Sequence, residues 1–475
     1  MKQWKQAIEQ WIDRKEEQLV RQIGQLVAVP SVGGPDAGPG KPFGEDAAQV
    51  LEVAAALAEQ AGLRTENVEG YVVTADLNDR PDGLHILAHL DVVDPGDGWD
   101  SDPYTLRREG DLIYGRGVDD DKGPAVAAML AMECVRDLGI PLERNVKLIL
   151  GGDEESGSRD VAYYYEHHPY APCAITPDAE FPVINIEKGR YAPTFHQSWP
   201  EESALPRVAS LTGGIRVNVA PRNAQAVVLG LSRADVEELA AQVARSTGTE
   251  LAVTDAQDGV ILTCTGREAH ASTPDEGVNG ITALLDLLAR LPLADLPSTR
   301  ALQGMARQFP HGDNHGTALG IDQSDGKYGR ITVALSLLEL DGTGLRGQFD
   351  ARVPICATQE NCAGRVETQL QSLGFVVEGT MSPAHEVAEE SPFVRTLLRC
   401  YEDCTGKPGR CVAIGGGTYV HDIPGGVAFG MGDFDFDSRL HSANERARVS
   451  ALLTAAKIYA NVIAAVCRRT EEEEG

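Results

Sequence analysis

The chain has 475 residues, with 71 acidic against 42 basic side chains and a formal net charge of −29 at pH 7. So acidic a surface repels phosphate backbones and anionic lipid, which argues against nucleic acid or a membrane surface as partner. No stretch approaches the ~18 uninterrupted apolar residues of a membrane span, and residues 1–17 read as a charged amphipathic helix without a signal-peptide core. In chain order, the pattern predicts a helix over 4–29 ended by the Pro30-Ser31 turn, a Gly- and Pro-rich loop over 33–43 and a helix over 44–61. Strands over 72–78 and 84–93, a helix over 123–138, and short strands over 145–150 and 173–176 follow. Strands alternating with helices predict an α/β domain with a mostly parallel sheet. Polar clusters at His89-Leu90-Asp91, 151–156 and Thr176-Pro177-Asp178 follow strands, the place where such sheets bind ligands.

The texture changes after Lys188-Gly189. Alternating segments over 208–219, 224–229 and 259–265 read as half-buried antiparallel strands, interleaved with helices over 232–245, 280–291 and 359–373. A helix over 391–405, the Gly415-Gly416-Gly417-Thr418 turn, a strand over 427–431 and a helix over 444–468 then return to the first pattern. The expected organisation is an α/β catalytic domain split into 1–190 and 391–475 by an inserted α+β lid domain, 191–390. The acidic run 471–474 reads as a solvated end. Nine cysteines form no CxxC pair, which points to reduced thiols in the cytoplasm. Cys400 and Cys404 share a helix face, but no third ligand joins them at zinc spacing, so both read as core residues.

Five motifs carry chemistry. His89-x-Asp91 closes the apolar strand over 84–93, and a second carboxylate near an imidazole fixes its tautomer and orientation when it binds a metal. Gly115 to Gly123, containing Asp119-Asp120-Asp121, opens a helix. Asp153-Glu154-Glu155-Ser156-Gly157 and Thr176-Pro177-Asp178 each follow a strand, and His441 sits in Leu440-His441-Ser442-Ala443-Asn444-Glu445. So much negative charge in one place is costly unless cations offset it. Among the remaining histidines, His167, His168, His196 and His385 read as surface or structural; for His311 and His315, in their Gly-rich loop, an approach to substrate is the alternative that the structural reading is set against.

Together these motifs resemble the co-catalytic zinc metallopeptidases of the aminoacylase and carboxypeptidase-G type, most closely the PepV-like dipeptidases. Residues 115–124, 176–183 and 415–419 are similar to that branch in particular, and the resemblance spans nearly the whole chain. It implies two divalent ions, zinc first with manganese or cobalt as alternatives, bridged by Asp120. His89 and Asp178 would complete one ligand set, Glu155 and His441 the other. Glu154 would be the general base, Asp91 the partner of His89 and Asp119 an extra acid, and the Asp120–Asp121 peptide would be cis. In the insert, the resemblance implies His270 as a donor to the tetrahedral oxyanion and Arg352 as the bidentate grip on a substrate carboxylate. Asn218, Gly416 and His421 complete the implied substrate contacts. His421 stands where the branch has an arginine, a donor without the permanent charge.

The expected function is hydrolysis of the peptide bond of dipeptides or short peptides with a free C-terminus by metal-activated water. An N-acyl-amino-acid amidohydrolase or deacylase using the same site is the nearest alternative. A non-catalytic metal or peptide binder is a third reading, set against the presence of all five ligands and the base. A phosphate-loop reading of 415–418 lacks its Lys-Ser/Thr. The enlarged insert implies groups acting in cis, hence a monomer.

Overall fold

Residues 84–88, apolar except for His85, form the heart of the sheet. In a computed structural model, which describes residues 2–468 apart from Lys327, Tyr328 and Asp433, they belong to the strand Asp82–His89, buried from Gly83 onward. This strand pairs in parallel with Asn145–Gly151 on one side and Cys173–Thr176 on the other. Cys173–Thr176 pairs in parallel with Gly426–Ala428. Burial on both faces explains why these strands read as apolar runs. The outer strands Arg64–Val68 and Val72–Asp76 add antiparallel, as does Val183–Glu187 beyond Gly426–Ala428. The sheet is therefore mixed, parallel only at its centre, where the sequence predicted a mostly parallel one. The acidic run 471–474 lies outside the described residues.

The described residues divide into two compact units: those of Met1–Ile186, Glu386–Ala413 and Gly417–Gly475 form the first, and those of Glu187–His385 and Ile414–Gly416 the second. In the first unit the helices Lys122–Asp137 and Val449–Val466 pack on each other and on the strand Asp82–His89. Val449–Val466 is long and apolar enough to cross a membrane. Ser450, Thr454, Lys457 and Asn461 interrupt the run, which is why no uninterrupted stretch stood out in the sequence. Leu452, Ala456, Ile458 and Tyr459 are nevertheless buried in the protein core, and this helix is a core helix here.

Three expectations are corrected. The single helix over 4–29 is two, Lys2–Ile12 and Glu16–Val27. The break at 13–15 lets Ile8 and Ile12 on one helix and Leu19, Ile23 and Leu26 on the other reach the same core. The last helix begins at Val449, because Arg446–Arg448 instead pairs as a strand with Leu112–Tyr114. The strand over 208–219 stops at Gly213. Gly214 turns there with φ +78°, and a Cβ on it would lie 1.8 Å from the Ser336 carbonyl oxygen. Helices Arg159–His167 and Pro297–Gln308 went unrecognised in the sequence.

The second unit is a twisted antiparallel sheet in the order Glu250–Ala256, Gly259–Thr265, Asn223–Leu229, Arg207–Gly213, Thr332–Leu340, Gly344–Val353, Thr194–Ser198, Val376–Glu378. Every second residue of Asn223–Leu229 and Gly259–Thr265 is buried, the period of a sheet with one covered face. Helices Arg233–Thr247, Gly280–Arg290 and Pro297–Gln308 pack on it. The helix over 359–373 opens with a π turn, Gln359–Ala363, before Gly364–Ser372.

At the start of Asp82–His89, Asp82 accepts from Asn145 Nδ2 at 2.7 Å, with His85 Nε2 at 3.1 Å and Lys147 Nζ at 3.2 Å. Burial raises its pKa, but the hydrogen bonds of His85 and Asn145 and the charge of Lys147 outweigh that and hold it well below the usual carboxylate range. A depressed carboxylate stabilises the fold above its unfolded pKa and loses that contribution as pH falls through its folded value. Asp82→Asn is expected to be less stable than the parent at pH 7, with the gap narrowing below about pH 4. Urea denaturation at pH 7 and pH 3 checks this; a constant gap would refute it.

Candidate metal centre

Three parallel strands deliver acids and a histidine to one edge of the sheet. His89 is the last residue of Asp82–His89 and lies opposite Gly151, so the turn Glu154–Ser156 after Gly151 comes beside it. Asp178 follows Cys173–Thr176 on the other side. Asp120 lies in the turn before the helix Lys122–Asp137, and His441 in a loop where it has φ +57°. The two oxygens of Asp120 each face a different imidazole: Oδ1 is 2.8 Å from His89 Nε2 and Oδ2 is 2.9 Å from His441 Nε2. Asp178 Oδ2 lies 3.8 Å from His89 Nε2, and Glu155 Oε1 lies 3.2 Å from His441 Nε2. Two donor groups result, His89 with Glu154 and Asp178, and Asp120 with Glu155 and His441, with the donor atoms of each group within 4.8 Å of one another.

Carboxylates behind this cluster hold it in place. The Oδ1 and Oδ2 atoms of Asp91, fully buried, accept from the backbone N–H of Glu154 at 3.1 Å and Glu155 at 3.0 Å. Its contact with His89 Nδ1 is through the carbonyl oxygen at 3.0 Å, while Oδ1 stands 3.5 Å away. Asp91 thus orients the Glu154-Glu155 turn as much as the imidazole. Asp121 Oδ2 accepts from the His89 N–H, and the Asp120–Asp121 peptide is cis. Asp160, which the sequence did not single out, accepts from the Gly152 and Asp153 N–H groups and from the Tyr419 hydroxyl. Nothing in the motif 440–445 marks a role for Glu445, yet its carboxylate accepts from the turn that carries Asp120.

The charges are strongly coupled. Burial pushes the His89 imidazolium toward deprotonation, but hydrogen bonds to Asp120 and Asp91 outweigh it and hold its pKa well above the usual range. Hydrogen bonds to Asp120 and Glu155 raise His441 to about 10. Burial also works against Asp120, yet the hydrogen bonds of His441 and His89 prevail and keep it ionised. Glu154 goes the other way: burial, reinforced by the charges of Asp178, Glu155 and Asp120, lifts its carboxyl well above the usual range. Four carboxylates crowd two imidazoles here, and such a set of nitrogen and oxygen donors fits divalent cations.

Four residues expected to contact substrate gather in the second unit. Val219, next to Asn218, pairs with His270, and the Ala271 N–H donates to the Asn218 carbonyl at 2.9 Å. Thr332, opposite Arg352 across the strands, donates its hydroxyl to the Ala271 carbonyl. Arg352 Nε donates to Asp350 Oδ1 at 2.7 Å and Nη2 to Oδ2 at 3.3 Å, while Nη1 donates to the Gly415 carbonyl at 2.8 Å, beside Gly416. Three of its five N–H donors are thus engaged, and among the described residues two remain. His270 Nδ1 lies 2.6 Å from Ser272 Oγ. His421, in the first unit, is half-buried in the turn Tyr419–Asp422. The other histidines are structural where bonds are seen: His311 bonds Thr282 and the Thr247 carbonyl, and His315 bonds the Ile331 carbonyl. Cys400 packs in the core of the first unit, with Cys404 against it.

The profile of peptidase family M20/M25/M40 matches residues 85–465, and the chain belongs to this family of metal-dependent peptidases. A Bacillus subtilis (strain 168) protein named "Putative dipeptidase YtjP" is 34% identical over 457 residues, 95% of this chain and 97% of that one. Among solved structures, human carnosine dipeptidase 1 shares the fold with a TM-score of 0.59 at 16% identity, over 98% of this chain and 99% of that one. The dipeptidase Dug1p of Saccharomyces cerevisiae does so with a TM-score of 0.60 at 14% identity, over 99% and 100% of the two chains.

The segment after Gly426–Ala428 fixes the turn that carries Asp178. Phe429 N–H donates to the Thr176 carbonyl and Met431 N–H to the Ala179 carbonyl, both at 2.8 Å. Between them, a Cβ on Gly430 would lie 1.6 Å from the Ala179 carbonyl oxygen. Gly430→Ala must displace that turn, and overpacking of this kind costs about 1–3 kcal/mol. Chemical denaturation against the parent protein reads the loss; parent-like stability would show that the turn gives way freely.

Proposed function

We propose that this protein is a dinuclear metallodipeptidase that hydrolyses dipeptides or short peptides with a free C-terminus. The observation that carries the reading is Asp120, whose two oxygens face His89 and His441 separately, between two groups of further donors. In this reading His89 and Asp178 would hold one divalent ion and Glu155 and His441 a second, with Asp120 serving both; zinc is the first choice and manganese or cobalt the alternatives. When bound, such a pair lowers the pKa of a water and polarises the scissile carbonyl. Glu154 accepts the proton of the attacking water and passes it to the leaving amine. Asp91 keeps Glu154 in reach by holding its backbone N–H.

His270 is assigned to stabilising the oxyanion and Arg352 to gripping the C-terminal carboxylate, with Asn218, Gly416 and His421 as further substrate contacts. The clamp of Asp350 on Arg352 supports that role, because it fixes the guanidinium plane before substrate arrives. The dipeptide substrate is supported by the names of the Bacillus subtilis relative and of the two solved structures. Nine cysteines without a CxxC pair support a reducing, cytoplasmic setting, and the large insert supports a monomer acting in cis.

Glu154 also lies within reach of the His89 and Asp178 donors, so its role as base or ligand is open to direct test. Glu154→Gln is expected to lower kcat on unmodified dipeptides by about 10²-fold or more while metal content stays at the parent level. Loss of metal along with activity would make Glu154 a ligand, and retained turnover would remove it from the mechanism. Arg352→Met is expected to raise KM for dipeptides with a free carboxylate and to abolish the preference over their C-terminal amides. Activity confined to N-acetyl or N-succinyl amino acids would replace the dipeptidase reading with a deacylase.

A further inference from the structure

Glu445 is fully buried and takes no part in either donor group. Its position follows from strand register: Arg446 pairs with Tyr114, and the Gly115 N–H extends the ladder by donating to the Glu445 carbonyl at 3.2 Å. The side chain then enters the turn that follows Gly115. Oε1 accepts from the backbone N–H groups of Gly117 at 3.0 Å, Asp119 at 2.9 Å and Asp120 at 3.3 Å. Oε2 accepts from Arg116 Nη1 at 2.7 Å. Converging N–H groups of this kind form an anion-binding concavity, and here the anion is the chain's own carboxylate.

The loop on the other side of Glu445 needs such an anchor. Arg439, His441 and Asn444 all have positive φ, at 56°, 57° and 62°. Non-glycine residues hold the left-handed region only when their surroundings over-determine them. Asn444 is tied by accepting from the Asp100 N–H at 2.9 Å, and Glu445 next to it is tied to the Asp120 turn. Arg116 is buried at 1% exposure, and its Nε and Nη2 have no hydrogen-bond partner among the described residues, so Glu445 is its main counter-charge.

We infer that Glu445 is a positioning residue for the metal centre: it binds the Asp120 turn and the His441 loop together, so that the two side chains meet at one ion. The inference rests on the reading of Asp120 and His441 as ligands. A neutral Gln of the same shape presents an N–H₂ group either to the backbone donors or to Arg116, and one of the two contacts is lost. Removing a partner that orients metal ligands lowers metal affinity by about 10–100-fold.

The test uses the full chain stripped with chelator and titrated with Zn²⁺ alone against a chromophoric competitor, with Co²⁺ absorption as a report on ligand geometry. Glu445→Gln is expected to bind zinc at least tenfold more weakly and to shift the Co²⁺ spectrum. Leu397→Ala, a core truncation in the same unit, is expected to lower Tm but bind zinc as the parent does. Parent-like zinc binding and Co²⁺ spectrum in folded Glu445→Gln would overturn the inference. If that variant does not fold, Arg116→Met decides: weakened zinc binding supports the role, and unchanged binding overturns it. A parent protein that takes up no zinc would overturn the metal reading itself, and this inference with it.

Discussion

Gathering carboxylates at the end of a buried sheet is the constraint on which the first unit turns. Asp120, Glu154, Glu155 and Asp178 would repel one another in isolation, and burial makes each ionised group more expensive. Two imidazoles placed between them offset part of that cost, with His89 and His441 on opposite oxygens of Asp120. The negative charge that remains is of the kind a divalent cation would offset.

Behind that cluster stands a layer of acids whose work is with the backbone. Asp91 holds the N–H groups of Glu154 and Glu155, Asp160 those of Gly152 and Asp153, and Glu445 those of Gly117, Asp119 and Asp120. Each caps a turn that would otherwise leave buried donors unpaired. The same hydrogen bonds fix where the facing side chain points. The turns around the site are therefore ordered by acids that never need to touch a metal or a substrate. In the second unit the logic is similar but uses strand pairing: Asn218, His270 and Arg352 are drawn together around Ala271 by short ladders and one threonine hydroxyl.

Much of the centre was legible beforehand because its residues come in local motifs. His89 and Asp91 are two residues apart at a strand end, Glu154 and Glu155 are adjacent after another, and apolar runs announced both strands. The α/β character of the first unit and the antiparallel texture of the second were readable for the same reason, since local periodicity reports which faces are covered. Errors came where a distant contact decided the outcome. The break at 13–15, the early stop of Arg207–Gly213 and the strand Arg446–Arg448 each answer to a partner elsewhere in the chain, and periodicity carries no record of it. Asp160 and Glu445 escaped notice as supports because their partners are backbone N–H groups, which every residue possesses and no motif marks.

By itself the sequence determined the kind of donors present, their order and the family to which the chain belongs, because covalent spacing and residue chemistry are local properties. Only the tertiary structure decided which donors meet. Asp120 and His441 are 321 residues apart, and Glu445 reaches donors 325 to 329 residues before it. The physical reason is that a buried charge is tolerated only beside a partner in space, and the strand register and loop closures that put partners in space exist only once the chain has folded.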